Sequence, residues 1–167
     1  MESKAVISKS GLYRYELHRE WDKKKKKVLF IMLNPSTADG YKNDLTTIRC
    51  MNFAKKWEYG GIMIGNIYPF RAKRPKDLKK WIRDCKHSKR FQDWINYRHV
   101  RGMAEQADIT VCAWGGNHPG VPEMLEYTSD LHYLELCDDG VTPKHPLGNL
   151  SKDLLPKQYN INTIVDR

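Results

Sequence analysis

The sequence predicts an α/β fold: a three-layer α/β/α sandwich around a four-stranded, mainly parallel sheet, with an N-terminal antiparallel edge strand. Three observations carry this. Residues 28–33, 62–68 and 109–114 are apolar runs of strand length, the pattern of strands buried on both faces. Segments of helical spacing separate them, and strand–helix–strand of this length makes a right-handed unit with parallel strands. Each run stops in proline, glycine or asparagine. With 167 residues, the chain suits a single domain with its own core.

Taken in order, residues 12–21 alternate Tyr13, Tyr15 and Leu17 with Arg14, Glu16 and His18, a half-exposed strand. Asp22 and Lys23 to Lys27 turn into the buried run at 28–33, so an antiparallel hairpin at one side of the sheet is expected. The five lysines belong at a solvated turn, where they guard against edge pairing or touch phosphate. The buried run ends in Asn34-Pro35-Ser36. Proline has no N–H to donate, so the strand stops there and leaves Asn34 at its carboxyl end. In open α/β sheets that edge binds ligands. The same three residues are also ordinary turn formers.

A polar loop, 38–43, leads to Asp44, a cap for a helix over 45–57 with Ile48, Met51 or Asn52, Ala54 and Trp57 at helical spacing. Arg49 falls in its first turns. Tyr59-Gly60-Gly61 breaks this helix. The next strand, 62–68, carries Asn66 and is followed by Pro69, placing Asn34 and Asn66 at one sheet edge. An amide offers both a donor and an acceptor, which suits a base edge.

A basic loop from Arg71 to Asp77 brings Pro75 to the first turn of a helix over 75–84. A second helix is expected over about 89–106. There Phe91, Trp94, Ile95, Met103 and Ala107 read as a core face rather than base-stacking platforms, with Lys89, Arg90, Arg98 and Arg101 outside it. The strand at 109–114 ends in Trp114-Gly115 and a flexible loop containing His118. A short helix at 121–129 and a fourth strand at 131–136 follow. His145 then stands between Pro143 and Pro146, a stiff setting for a polar group. The tail, 150–167, is weakly patterned.

Cys50, Cys85, Cys112 and Cys137 form no CxxC pair, which argues against a zinc ribbon. Cys112 reads as core, and free thiols are expected. With no long apolar run and no apolar leader, a cytoplasmic protein without membrane association is expected. The net charge is +9, unevenly spread. Residues 71–101 hold twelve Lys/Arg against three Asp/Glu, and residues 102–167 hold four against ten. This asymmetry suits a polyanion such as nucleic acid, DNA first, although a lysine-rich solvated surface has the same composition.

The motifs in order resemble an uncharacterised prokaryotic and phage family, DUF1643. The resemblance rests on Leu33 to Asp39, Asp44 with Thr47-Ile48-Arg49, Asn66, Arg71-Ala72, Pro75, Ala113-Trp114-Gly115 and Pro143 to Leu147. It covers about residues 11–150. More distantly, the same order is similar to the uracil-DNA glycosylase superfamily, a four-stranded parallel sheet between helices. That superfamily's mismatch-specific branch has Gly-Ile-Asn-Pro-Gly where this chain has Met32-Leu33-Asn34-Pro35-Ser36. Its His-Pro-Ser type motif is matched by His145-Pro146, with Leu147 in place of serine.

The resemblance implies hydrolysis or recognition of an N-glycosidic bond on a flipped, modified or mismatched base. Asn34 would position a water below the sugar, since an amide is no strong base. His145 would donate to the base oxygen as charge develops there, and Asn66 would hold the base by its edge. Pro35, Ser36, Arg71, Trp114 and Gly115 would complete the substrate pocket. Arg49, Arg74, Lys89, Arg90, Arg98, Arg101 and Lys144 would hold phosphates. Asp39 is a further catalytic candidate or a loop residue, and Asp44 an acid or simply the helix cap. Arg49 and Arg71 pair with these carboxylates or with phosphate. No metal or other cofactor is expected, because no ligand cluster argues for one. Competing readings are a non-catalytic nucleic-acid binder, a nucleotide or modified-base transferase of phage DNA modification, and a protein-binding module.

Overall fold

The computed structural model describes residues 1–118, 122–125 and 130–160, with the backbone alone at 86–89 and 123. In chain order the elements are β1 (Glu2–Ile7), β2 (Arg14–Glu20), β3 (Lys27–Met32), α1 (Leu45–Lys56), β4 (Gly61–Asn66), α2 (Pro75–Asp84), α3 (Lys86–Ala104), β5 (Ile109–Cys112), β6 (Leu131–Tyr133) and β7 (Lys157–Gln158). A 3-10 turn at Glu123–Leu125 is the described part of the helix expected at 121–129.

All seven strands join one mixed sheet in the order β1-β2-β4-β3-β5-β6-β7. β3 pairs parallel to β4 and β5, and β5 parallel to β6. β1 and β2 are antiparallel at one side, and β7 is antiparallel at the other. The sheet is therefore larger than the four strands and one edge strand expected from sequence.

The expected hairpin between residues 12–21 and 28–33 does not form. β2 pairs with β4 (Leu17 opposite Ile64), and β4 lies between β2 and β3. The lysine turn instead crosses the start of β4. There the Gly60 carbonyl accepts from Trp21 and Asp22 N–H (2.8 and 2.9 Å), and Gly60 N–H donates to the Lys26 carbonyl (2.8 Å). A Cβ at Gly60 would lie 2.0 Å from the Asp22 oxygen, so only glycine lets the two chains pass. The physical reason is burial: Val28 to Ile31 are fully buried, and a strand apolar on both faces belongs at the sheet centre.

The period of two along β3 sorts its side chains into two cores. Val28, Phe30 and Met32 pack with Cys50, Met51, Phe53 and Ala54 of α1. Leu29 and Ile31 pack with Val100 and Met103 of α3 on the opposite face. Helices therefore cover both faces. Asp44 caps α1 by accepting from the Thr47 N–H at 2.8 Å, and Pro75 opens α2 after an extended Arg74. Ile48, expected on the buried face of α1, is 44% exposed. The four cysteines are free, with Cys112 buried as expected. No described helix is long and apolar enough to cross a membrane.

Two arginines of β2 are buried, contrary to the half-exposed alternation read there. Arg19, 1% exposed, donates to the carbonyls of His18, Asp39 and Lys42 and to Asn43 Oδ1, at 2.5–3.1 Å. Arg14, 3% exposed, donates to the Ala38 carbonyl at 2.8 Å. Together they hold the loop between β3 and α1. Replacing Arg19 by alanine orphans two loop carbonyls and Asn43, so we expect a loss of about 2–4 kcal/mol in urea unfolding. A change within about 0.5 kcal/mol would show that the loop holds itself.

Candidate functional site

The carboxyl ends of β3, β4 and β5 open into a cleft of ≈ 460 Å³. Parallel pairing sets Met32 opposite Asn66, and the pairing continues as Ile67 and Tyr68 N–H donate to the Met32 and Leu33 carbonyls. Asn66 lies beside Met32 and Asn34 two residues further along the neighbouring chain, so both stand at the same edge and line the cleft. Because β2 runs antiparallel to β4, its first residue, Arg14, reaches this edge as well.

The two asparagines are held differently. Asn34 Nδ2 donates to the carbonyls of Pro35 (3.0 Å) and Ala72 (2.9 Å), tying the turn after β3 to the loop before α2. Both amide hydrogens are thus engaged, and the group left to the cleft is the Oδ1 acceptor. Asn66 is 1% exposed, and its Nδ2 is buried with no partner among the described residues. Its backbone carbonyl accepts from Asn96 Nδ2 of α3 at 2.7 Å, which anchors the strand end. Trp114 Nε1 and Arg14 Nε are likewise buried and unpartnered, and both residues line the cleft. A buried donor without a partner costs about 1–3 kcal/mol, which a ligand acceptor would recover.

His145 reaches the cleft through the segment after β6. Asp139 closes a turn there by accepting from Val141 N–H, Thr142 N–H and Thr142 Oγ1. Lys144 N–H donates to the Glu135 carbonyl, and Gly115 N–H to the Pro143 carbonyl at 2.9 Å. Gly115 has φ +77°, which favours glycine, and a Cβ on it would press on His145 Cβ at 3.2 Å. His145 Nδ1 accepts from Leu147 N–H at 3.2 Å, which leaves the neutral ring its proton on Nε2. Burial pushes the His145 pKa below its usual value, with Asp44 opposing. Burial also pulls the Arg14 guanidinium down to about 10, so it stays charged at neutral pH.

Among the described residues Asp44 is the single carboxylate in the cleft lining; its Oδ1 caps α1 and also accepts from Thr47 Oγ1. Ser36 and Gly115 line the cleft, as does His118, whose Nδ1 is buried and unpartnered. Lys73, Arg74 and Lys79 form a basic rim, with Arg74 paired to Asp77.

Several expected site residues lie elsewhere. Asp39 is outside the cleft lining; its carboxylate accepts from Tyr41 and Lys42 N–H (2.8 and 2.9 Å) and closes its own turn. Pro35 is buried beneath the turn and outside the lining, where its carbonyl serves Asn34 and Ala72. Arg71 donates to the Gly11 carbonyl at 3.1 Å, away from the cleft. Arg49 donates to the Leu150 carbonyl and lies over the Phe53 ring, beside Lys55, Lys56 and Lys152 in a separate depression. Lys144 pairs with Glu135. Arg90, Arg98 and Arg101 are exposed on α3, and the Lys89 side chain lies outside the described residues, as do Pro119 and Gly120. Among the described residues no group of three or more His, Cys, Asp or Glu is arranged to hold a metal ion. Sequence reading missed Arg14, which alternation placed on the solvent side, and nothing in its local sequence marks it.

His145 makes the site's pH behaviour testable. Its folded pKa lies below the unfolded value of about 6.5, so the unfolded chain binds more protons as pH falls through that range. Stability from His145 is therefore complete above about pH 6.5 and is lost on acidification. In urea unfolding between pH 7.5 and 5.5, His145→Gln should flatten the decline seen in wild type. Parallel declines would contradict a buried neutral imidazole.

No curated protein and no solved structure matches the chain. One family does, described as a protein of unknown function, DUF1643, over residues 14–147. That span runs from Arg14, at the start of β2, to Leu147, which holds His145, and so takes in every cleft-lining residue named above. The chain belongs to the DUF1643 family.

Proposed function

We propose that this protein takes a base of a nucleic acid, DNA first, into the cleft and hydrolyses its N-glycosidic bond, as the resemblance to the uracil-DNA glycosylase superfamily implies. The observation that carries the reading is the pairing of two asparagines at one sheet edge. Asn66 presents a buried, unpartnered amide donor, and Asn34 is pinned so that only its acceptor is free.

The chemistry follows from those polarities. A base oxygen or ring nitrogen accepts from Asn66 Nδ2 and Trp114 Nε1. Asn34 Oδ1 accepts from a water and aims its lone pair at the sugar C1′. As the C1′–N bond breaks, its electron pair passes to the base, and His145 Nε2–H donates to the oxygen where the charge gathers. A neutral imidazole keeps that proton while donating, which suits its depressed pKa. The attacking water gives its proton to Asp44, one of the two candidate acids, whose Oδ1 caps α1 and whose Oδ2 is the oxygen that would take it. Lys73, Arg74 and Lys79 at the rim suit the flanking phosphates.

Base release from oligonucleotides carrying uracil, hypoxanthine, mismatched thymine or modified pyrimidines tests this. Wild type should generate abasic sites. Asn34→Ala and His145→Ala should slow release by about a hundredfold or more, and Asp39→Asn should stay near wild type. Binding without release would favour a non-catalytic reader or a base transferase, and neither binding nor release would remove the proposal.

A further inference from the structure

The helical pattern of α3 places its aromatics opposite to expectation. Phe91 and Trp94 were expected in the core, but they are 61% and 57% exposed. The buried stripe is Met103, as expected, with Asn96 and Val100, and it faces the sheet. Phe91, Trp94, Arg98 and Arg101 recur every three to four residues on the opposite side, with exposed Arg90 beside them. The Arg98 guanidinium lies over the Trp94 ring, 5.2 Å from its centroid. A groove of ≈ 410 Å³ flanks this stripe on the side of β2; Trp94 and Arg98 line it with Ile95 and His99, while Phe91, Arg90 and Arg101 lie outside it. Its one carboxylate, Glu16, is engaged by His18 (2.7 Å) and His99 (2.5 Å).

We infer that this outer face of α3 is a stacking track for single-stranded nucleic acid, with Phe91 and Trp94 as base platforms and Arg90, Arg98 and Arg101 as phosphate contacts. The inference rests on the nucleic-acid part of the proposed function and not on its bond chemistry. Charge selects the occupant. α3 holds five Lys/Arg against one Asp, and a second copy would set two such stripes against each other at the cost of repulsion. A protein partner favours an interface core depleted of charge, whereas aromatics interleaved with arginine are what an unpaired strand requires, since every base has a π-face. Arg101 is paired with Glu105 at 3.0 Å, but both are exposed, and such a pair is weak enough to exchange for phosphate.

The test is fluorescence anisotropy of the full chain with a labelled single-stranded oligothymidine of about 15 nucleotides at several salt concentrations. Phe91→Ala with Trp94→Ala should weaken binding about tenfold or more, with an unchanged salt slope and unchanged thermal unfolding, because both positions are exposed. Arg98→Gln with Arg101→Gln should weaken binding and flatten the slope by about 0.7 per lost contact. No binding by wild type, or no loss in the aromatic variant, overturns the track. So does a dimer in sedimentation that the aromatic variant dissociates. Base release reads the cleft separately: Asn66→Ala should lower it, whether or not the outer face of α3 binds the oligothymidine. A failure in the cleft therefore leaves the α3 result standing, and the reverse.

Discussion

A guanidinium taken out of water must find acceptors, and in this protein two of them find the same loop. Arg14 and Arg19, both on β2, spend their donors on the carbonyls of Ala38, Asp39 and Lys42 and on Asn43. Those contacts fix the chain between β3 and α1. Asn34 and Ser36 stand at the start of that connection and Asp44 at its end, so the side of the cleft they form depends on them. Desolvation makes such a pair of buried charges costly, but removing either would leave carbonyls unpaired in its place. The loop is therefore held by satisfaction of polar groups more than by apolar packing; Ala38 is its buried apolar contact with the core.

The cleft floor has a clear polarity. Asn66 Nδ2, Trp114 Nε1 and Arg14 Nε are buried donors without protein acceptors. Asn34 offers an acceptor because the backbone holds its amide hydrogens. Asp44 adds a carboxylate to the lining. Donors on the floor and an acceptor at the turn favour a ligand that presents oxygen or ring nitrogen downward and a hydrogen-bonding water beside it. Met32, Ile64 and Leu78 add apolar side chains to the lining, the mixture of apolar wall and few polar groups that small-molecule clefts share.

Much of this was legible in the sequence where one residue's chemistry dictates local structure. Pro35 ending a buried run, Asp44 before a helical pattern and Pro75 opening another are determined by backbone geometry, and they stand where expected. The convergence of Asn34 and Asn66 followed from parallel pairing. What sequence could not convey is set by distant partners. β4 inserts between β2 and β3 because the centre of the sheet accepts the most apolar strand, which local turn composition does not encode. β1 and β7 are edge strands, one exposed over its first half and the other two residues long, so no apolar period marks them. Arg14 and Arg19 are buried only because a loop twenty or more residues away supplies carbonyls. Asp39 reads as a free acid in the sequence, whereas its Oδ1 accepts from Tyr41 and Lys42 N–H outside the cleft lining. Phe91 and Trp94 were assigned to the core by hydrophobicity, whereas Asn96 takes the inner position because the Asn66 and Ile67 carbonyls need its donor.

The central claim is that the unpartnered donors of the cleft floor await a nucleobase. A nitrogen–proton correlation spectrum with the Asn66 side-chain amide and the Trp114 indole assigned reads those donors directly. On titration with free pyrimidine and purine bases, both resonances should shift together and saturate for at least one base, while the surface indole of Trp94 stays unmoved. If no base moves Asn66 and Trp114, or if every indole drifts equally without saturating, the cleft is not a base pocket and the account fails at its centre.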